Sequence, residues 1–299
     1  MVQTEYTTDG LIIREQNIGD NDKLVTVLTR DMGVISAYAA GSKSIKSKKG
    51  SSTCLLSYSS FVLKKKGEYF RISESSPIKV FFSTGDDIEA LYLAQYFCEL
   101  ASTHTPDDKT CESVLRLFLN ALYFLSEKKR DIFLLKAIVE LRLMSIIGYM
   151  PNLVACKKCV KYESDLMYFD TLEGLIYCTE CAQYNKDFAV LNKTLVTAMR
   201  HIIYADFEKL FSFSLPAEAC KALSSVTEKY LINKTEQKLR TLSFFNSLFW
   251  GKHLCIMLKN IMIPSSLTRC CSFLQAKLLC HLQKKPQCCC ARSIISKRL

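Results

Sequence analysis

The first 80 residues alternate apolar and polar positions in short runs that are rich in Val, Ile, Tyr and Phe, which is typical of strands. Glycines separate the runs and favour turns there. Five such runs in so short a stretch predict a small closed barrel, because closure removes the edges that a small sheet could not otherwise protect. The predicted strands lie at 8–15, 23–30, 33–41, 54–65 and 68–81.

After Pro77 the apolar positions recur every three to four residues, which predicts helices. Acidic residues suit the start of the first helix, and Gly148 with Pro151 ends the third. The pattern therefore predicts an α+β protein with a barrel at 1–80 and a helical bundle at 81–245 that is interrupted at about 151–186. The predicted helices cover 86–103, 110–128 and 131–148, with two more near 190–209 and 216–233.

The interrupting segment holds two Cys-x-x-Cys pairs separated by eighteen residues, formed by Cys156, Cys159, Cys178 and Cys181. This spacing is typical of a zinc site, because each tight turn directs two thiolates at one ion and two turns complete a tetrahedron. Four protein ligands leave no open coordination position, so the ion is expected to be structural. A redox pair and four unrelated core thiols are the alternatives.

The sequence between the two cysteine pairs predicts a hairpin that turns at Glu173 and Gly174 and brings the pairs together. Three lysines lie beside the first pair: Lys157, Lys158 and Lys161. We expect their positive charge to lower the pKa of the thiols and so to favour the metal-binding thiolate form.

Net charge is +11, but it is unevenly distributed. Residues 246–299 contain nine Lys and Arg and no Asp or Glu, so only +2 remains for residues 1–245. This tail also holds seven of the fifteen cysteines. Two interpretations stay open: a basic arm that binds phosphate or anionic lipid, and an atypical extension without an evolved role. Any argument for nucleic-acid binding must therefore rest on local clusters of charge.

The beginning, "MVQTEYTTDG", lacks the basic and apolar regions of a secretory signal, and no uncharged apolar run approaches the roughly 18 residues that span a bilayer. We therefore expect no membrane association and a cytoplasmic location, where cysteines stay reduced. Known catalytic motifs are also missing: the sequence has no Gly-rich nucleotide loop, no HExxH and no GxSxG, and its four histidines are scattered. These observations predict a protein that is not an enzyme.

Basic residues concentrate in the barrel, first in "GSKSIKSKKGSS" at 41–52 and again around a later turn. On five-stranded barrels, loops and one sheet face commonly bind oligonucleotides, and aromatic side chains stack on bases. We expect the loop as a whole to contact phosphates, whereas for each single residue the pattern slightly favours a solvated lysine or a core aromatic. The candidates are Lys43, Lys46, Lys48, Lys49, Lys64, Lys65, Lys66 and Arg71, with Tyr38, Tyr58, Tyr69 and Phe70 for stacking.

Two stretches resemble one known family. "TDGLIIREQNIGDNDKLVTVLTRDMGVISAYAAGSKSIKSK" is similar to the start of the bacterial recombination mediators of the RecO family, and "VELRLMSIIGYMPNLVACKKC" followed by "YFDTLEGLIYCTEC" is similar to the helix and zinc-binding segment of that family. The resemblance covers about residues 8–245. It implies an N-terminal OB-fold barrel that precedes a helical domain with an inserted zinc-binding element.

The resemblance also implies a function. It implies binding of single- and double-stranded DNA, annealing of complementary strands, partnership with RecR, and displacement of single-strand-binding protein so that RecA can load during DNA repair and recombination. Such a protein would associate with the nucleoid during repair. Carried over by position, the four cysteines would hold the metal, and the basic part of the barrel would bind DNA through Arg14, Lys23, Arg30, Lys43, Lys46 and Lys48.

Two other classes of protein remain as alternatives. One is a non-catalytic scaffold that bridges RecR and the acidic C-terminal tail of single-strand-binding protein, with only weak DNA contact. The other is an unrelated zinc-stabilised enzyme, which would need a cluster of histidines or carboxylates that the sequence does not show.

Overall fold

The structure is a computed structural model that describes residues 5–44, 47, 49–67, 69–82, 87–106, 110–182 and 188–249, with Lys66 described by its backbone alone. Several predictions fall outside the described residues: the DNA contacts of Lys46 and Lys48, the side chain of Lys66, the start of the first helix at residue 86, and the basic tail from 250 onward.

Five strands close into a barrel in the order β1-β2-β3-β5-β4, with β4 returning to β1. All neighbours are antiparallel except β3 and β5, which pair in parallel over two residue pairs. The predicted barrel is confirmed, and its topology is that of an OB fold. The strands are β1 Glu5–Ile18, β2 Asp22–Thr29, β3 Val34–Ala39, β4 Ser57–Lys66 and β5 Tyr69–Val80.

The barrel is filled by the inward-facing positions of every strand, as the alternation in the sequence requires. A short 3-10 helix at Ser51–Thr53 lies between β3 and β4 and contacts β5, where the Ser52 hydroxyl lies 2.7 Å from that of Ser75. The buried cluster comprises Ile12, Val25, Val27, Ile35, Ala37, Ala39, Phe61, Leu63 and Ile72.

Within the described residues, five helices follow the barrel before a further helical segment at 240–249, and side-chain caps define the starts of three of the five. Asp87, Asp131 and Asn192 each accept a hydrogen bond from a backbone N–H in the first turn of α1, α3 and α4, which satisfies a donor that the helix itself leaves free. The predicted helices are confirmed with shifted bounds, and helical structure resumes at 240. The bounds are α1 Ile88–His104, α2 Cys111–Ser126, α3 Ile132–Ile146, α4 Lys193–Tyr204 and α5 Ala217–Thr235.

The helical core contains a buried ionic network that sequence analysis missed. Lys136 and Glu140 on α3 are both fully buried and form an ion pair at 2.8 Å, and Lys136 forms a second ion pair at 2.8 Å with Glu228 on α5. The Tyr96 hydroxyl from α1 and the Thr227 hydroxyl donate to Glu140 at 2.7 and 2.6 Å. Burial raises the pKa of Glu140 and the pKa of Tyr96. The network joins three helices inside an otherwise apolar core.

A second, smaller sheet carries the cysteine segment. Its three antiparallel strands are β6 Leu166–Asp170, β7 Leu175–Cys178 and β8 Ala189–Asn192, in the order β7-β6-β8. The predicted hairpin is confirmed, and Gly174 ends its turn at φ 77°. The predicted start of a helix near 190 was wrong, because those residues pair with β6 as β8 and the helix begins at Lys193. Among the described residues, no helix is both long and apolar enough to cross a membrane.

Candidate metal centre and nucleic-acid interface

The four predicted ligands meet at one point. The Sγ atoms of Cys156, Cys159, Cys178 and Cys181 all lie within 4.8 Å of one another, and those of Cys159 and Cys178 are 3.6 Å apart. Four sulfurs bound to one zinc ion at about 2.3 Å in a tetrahedron lie roughly 3.8 Å apart. The cluster therefore fits a metal ion of this size, and a single shared centre favours metal over two separate redox pairs.

Backbone hydrogen bonds shape the turn that bears each pair. The Cys156 N–H donates to the Lys161 carbonyl at 2.9 Å, and the Val160 N–H donates back to the Cys156 carbonyl at 3.0 Å with Val160 at φ 61°. In the second pair, the Cys181 N–H donates to the Cys178 carbonyl at 3.0 Å. The Lys157 N–H bonds the Ile176 carbonyl at 2.9 Å, so the first turn is attached directly to β7.

The pKa values of Cys156 and Cys181 are shifted in opposite directions, because Cys156 accepts backbone hydrogen bonds whereas Cys181 is hydrogen-bonded to neighbouring thiols. Burial alone would raise the pKa of the Cys156 thiol, but backbone N–H groups of Cys159, Cys178 and Lys158 outweigh it and lower the pKa to about 6. Hydrogen bonds with Cys159 and Cys178 raise the pKa of Cys181 to about 12. Without a cation, the thiolate of Cys156 is favoured and the Cys181 thiol stays protonated. A divalent cation is what lets all four sulfurs carry charge together.

The charges of the lysines beside the first pair are not among the main causes of the lowered pKa of Cys156, whereas the charge of Lys161 does interact with Cys159 and Cys178, as the sequence predicted. Burial raises the pKa of Cys156, but hydrogen bonds from backbone N–H groups outweigh burial and lower the pKa overall. Lys161 forms an ion pair with Glu180 at 2.9 Å, which is the main reason that its own pKa is raised. Peptide N–H groups are fixed in direction by the turn, whereas a lysine on the surface is drawn to the nearest acid.

A side chain from α4 fastens the cysteine loop to the helices. The Arg200 guanidinium donates to the carbonyls of Leu153, Val154 and Tyr162 at 2.7, 3.0 and 2.8 Å, and it lies 4.0 Å from the centre of the Tyr162 ring. One planar cation thus binds the loop on both sides of the first cysteine pair. The sequence did not predict this role for Arg200, because a single arginine on a predicted helix carries no signal of such a role.

Helix α5 supports the hairpin from its other end. The Tyr230 hydroxyl donates to the Tyr149 carbonyl at 2.8 Å, and its ring lies 5.4 Å from that of Phe169 on β6. The Asn233 side chain donates to the Thr171 hydroxyl in the hairpin turn at 2.9 Å. The cysteine cluster is therefore built into the helical part of the molecule rather than attached by a free linker.

In the barrel, part of the predicted basic set shares one outer face. Tyr38 on β3 lies opposite Leu24 on β2 and beside Arg71 on β5, and Arg71 lies opposite Lys64 on β4. Tyr38 is half-buried and Arg71 is exposed. Arg14 is exposed on β1, opposite Thr26. The row crosses the strands that form the oligonucleotide-binding face of OB folds.

The start of the basic loop lies beside the turn that precedes β2. The Lys43 N–H donates to the Asn21 carbonyl at 3.0 Å, and the exposed Lys43 ammonium lies 3.3 Å from the Gly19 carbonyl. The start of the loop is thereby attached to the turn between β1 and β2. We call the start of the loop, the β1–β2 turn and the Tyr38 row the barrel face, with Lys43 and Arg71 as its cations and Tyr38 as its aromatic ring.

Other predicted residues lie apart or are already neutralised. Lys23 is only 12% exposed and pairs with Glu15 at 3.0 Å, and Lys64 pairs with Glu5 at 3.0 Å. Arg30 lies on the side of the barrel that meets α2, where it pairs with Asp9 at 3.2 Å and its carbonyl accepts from the Cys111 thiol. Lys49 donates to the Ile72 carbonyl at 3.0 Å, and Lys65 is exposed.

Fold and site together define a class of protein: an OB-type barrel followed by a helical domain that carries a four-cysteine metal-binding element. Comparison with known proteins gives the family. The profile of Recombination protein O N terminal matches residues 1–81, and that of Recombination protein O C terminal matches 85–243. The chain belongs to the Recombination protein O family.

Characterised relatives agree over most of the chain. It is 30% identical over 241 residues to DNA repair protein RecO of Acetivibrio thermocellus, covering 81% of this chain and 96% of that relative. It is 26% identical over 247 residues to DNA repair protein RecO of Symbiobacterium thermophilum, covering 81% and 97%, and 24% identical to that of Alkaliphilus metalliredigens, covering 75% and 92%. The resemblance found in the sequence is confirmed, and it supports a role in DNA repair.

Proposed function

We propose that the chain binds single- and double-stranded DNA through the barrel face and anneals complementary strands as a recombination mediator. The observation that carries the proposal is the joint placement of Lys43, Tyr38 and Arg71 on one OB-type surface. Cations there contact phosphates, and an aromatic ring stacks on a base of any identity. Affinity without sequence preference is what an annealing protein needs.

Annealing requires no bond chemistry, so we propose that the protein is not an enzyme. Each DNA strand carries a dense row of phosphates, and repulsion between two strands opposes their pairing. A protein that neutralises phosphates on both strands lowers this repulsion and releases counterions. Base pairing between the strands then supplies the specificity that the protein lacks.

We propose that the four-cysteine cluster holds one structural Zn²⁺. The four sulfurs would occupy every position of a tetrahedral ion, so the metal would hold the two cysteine turns together and supply no open site for water. The bonds of Arg200 support this role, since they hold backbone on both sides of the first cysteine pair. The proposed structural role of the ion follows from the four cysteine sulfurs that this chain supplies as ligands.

The family supports further proposals about partners and place. We propose that the chain acts with RecR, binds DNA coated with single-strand-binding protein, and so helps RecA to load, in the cytoplasm at the nucleoid. The basic tail from residue 246 onward takes no part in this proposal.

The test is annealing of complementary strands coated with single-strand-binding protein, measured across salt concentrations. Lys43→Ala combined with Arg71→Ala is expected to slow annealing. The slope of log affinity against log salt concentration should become shallower by about one for each phosphate that the variant no longer neutralises. The matched control removes two exposed lysines of the helices, Lys193→Ala with Lys221→Ala. It should change neither the rate of annealing nor the salt dependence of binding. Annealing that is insensitive to salt would contradict the proposal.

A groove on the helical domain favours a second candidate function, that of a scaffold. Phe124 on α2 and Phe211 stack at 5.1 Å, and Arg116 and Arg130 lie beside them in a groove of about 430 Å³. Aromatic surface next to arginines suits the acidic and apolar tail of single-strand-binding protein. Binding of that tail peptide by a Lys43→Ala/Arg71→Ala protein that no longer binds DNA would favour the scaffold.

A further inference from the structure

An acidic residue lies in the middle of the barrel face. Asp22 is the first residue of β2, directly after the turn, and its carboxylate binds two groups of the face. Its Oδ1 atom accepts the Gly41 N–H at 2.8 Å, and its Oδ2 atom accepts the Tyr38 hydroxyl. A carboxylate at a surface intended for phosphates needs an explanation, because like charges repel.

The groups around Asp22 keep its carboxylate in the anionic form. The Gly41 N–H, followed by the Tyr38 hydroxyl, lowers its pKa, and the positive charge of Arg71 acts in the same direction. The bond to Asp22 raises the pKa of Tyr38, so the phenol keeps the proton that it donates. At neutral pH the contact therefore joins a carboxylate and a neutral phenol, and charge-assisted hydrogen bonds of this kind are strong.

The geometry shows what these bonds hold in place. The Tyr38 backbone lies opposite Leu24, whereas its hydroxyl is held two residues away along β2, at Asp22. The ring therefore extends along the strands instead of rotating freely. Gly41, at φ 65°, begins the basic loop, and its bond to Asp22 acts together with the bond from Lys43 to Asn21. One carboxylate thus fixes both the ring and the start of the loop.

We propose that Asp22 is a positioning residue for single-stranded DNA: it holds Tyr38 as a platform on which a base stacks, and it keeps the loop that bears Lys43 against the β1–β2 turn. This inference rests on the proposed function of the barrel face. Pre-organisation raises affinity because a ring that is already held loses little conformational freedom on binding. The gain in affinity should come from contacts with bases more than from contacts with phosphates.

A simple electrostatic role for Asp22 predicts the opposite result. Removal of one negative charge from a surface that binds phosphates should tighten binding of any strand, with or without bases. The two roles therefore differ in sign, and a substitution at Asp22 separates them.

The experiment measures the affinity of the full chain for two strands of equal length, oligo-dT and an abasic strand, by fluorescence anisotropy at fixed salt. Asp22→Ala is expected to weaken oligo-dT binding about fivefold or more, within the range of one base–aromatic stack, and to leave abasic binding nearly unchanged. Asp22→Asn keeps one acceptor oxygen, so its affinity for oligo-dT should lie between that of the unaltered chain and that of Asp22→Ala. Tyr38→Phe should weaken oligo-dT binding in the same direction.

A double variant tests whether the two residues act as one unit. The variant that combines Asp22→Ala with Tyr38→Phe should bind oligo-dT as tightly as Asp22→Ala alone, because both changes break the same hydrogen bond. Thermal unfolding checks that each variant folds. If Asp22→Ala does not fold, the affinities of Tyr38→Phe for oligo-dT and for the abasic strand test the inference instead, since this substitution removes a single hydroxyl.

Two results would overturn the inference: tighter binding of both strands by Asp22→Asn and Asp22→Ala alike, or an unchanged preference of Tyr38→Phe for oligo-dT over the abasic strand. Failure of the proposed function would look different. In that case the Lys43→Ala/Arg71→Ala protein would bind both strands as the unaltered chain does.

Discussion

The two β structures of this protein are held together by different means. The N-terminal barrel closes on itself around nine buried side chains, so burial of apolar surface alone can stabilise it. The three-stranded sheet has strands of only four and five residues and cannot close. Its buried face packs on helices, and a cysteine cluster fixes one end.

The difference teaches how small β elements become stable. An isolated sheet of this size leaves edges and backbone groups exposed, and a metal or a neighbouring domain must compensate. Here the edge of β7 is covered by the bridge from Asn152 to Leu175, and Arg200 and Tyr230 bind the flanking loops. The barrel should therefore be independent of metal, and the smaller sheet should not.

The largest effect should follow removal of the metal. Chelation, or Cys178→Ser, is expected to abolish the order of residues 151–182, because structural zinc contributes about 10–16 kcal/mol of apparent binding energy. Hydrogen exchange should show loss of protection there and not in β1–β5, with zinc content falling from one per chain.

The matched control is Cys54→Ser, a half-buried cysteine of the barrel that lies outside the cluster. It should retain its zinc. Equal loss of protection in barrel and sheet after chelation would show that the two are not independent.

A substitution in the core of the barrel should destabilise the barrel without releasing the metal from the cysteine cluster. Phe61 is 1% exposed, and Phe61→Ala is expected to cost about 3–5 kcal/mol of unfolding free energy through reduced burial and a cavity. Urea unfolding measures the cost, and zinc content should not change. Tyr69→Ala, at a position 54% exposed, is the control and should cost far less. A loss of zinc from the Phe61→Ala protein would contradict the comparison.

Arg200→Ala should loosen the metal element without unfolding it. The guanidinium makes three hydrogen bonds to carbonyls, and we expect a local cost of about 2–3 kcal/mol, since one hydrogen bond to a charged group contributes roughly 1.5–3 kcal/mol. Zinc release to a chromogenic chelator should be faster. Arg200→Lys should restore little, because an ammonium lacks the planar fork that reaches all three carbonyls. Full recovery with lysine would argue that only charge matters.

The smallest effects compare one hairpin glycine in each region. Gly67 in the barrel and Gly174 in the small sheet both have positive φ, at 65° and 77°, so alanine should cost about 1–2 kcal/mol at either. A Cβ at Gly67 meets no atom within 4 Å, whereas one at Gly174 lies 3.0 Å from the Tyr230 hydroxyl. Gly174→Ala should therefore cost more in thermal or urea unfolding. Equal costs would mean that Tyr230 moves aside freely.

Local patterns predicted the elements well where each residue's environment follows from its neighbours in sequence. Alternation found the five barrel strands, and the spacing of Cys156, Cys159, Cys178 and Cys181 found a cluster that the fold brings together. The start of α4 was misplaced because Ala189–Asn192 pairs with β6, and pairing with a distant strand leaves no mark in a short window.

Polar residues in the core were missed for a related reason. Lys136 and Glu140 lie four apart on α3, a spacing typical of an exposed ion pair, yet both are fully buried. The hydroxyls of Tyr96 and Thr227 and the second acid, Glu228, help to make that burial tolerable, and they come from other helices.

The sequence by itself determined the order of barrel, helices and cysteine element, because hydrophobic period and ligand spacing are properties of neighbouring residues. Tertiary structure alone decided which basic residues share a surface: it placed Lys43 and Arg71 on the barrel face and Arg30 against α2. It also decided that Asp22 meets Tyr38 and Gly41. Such contacts depend on strand register and barrel closure, and these are set by the packing of the whole chain.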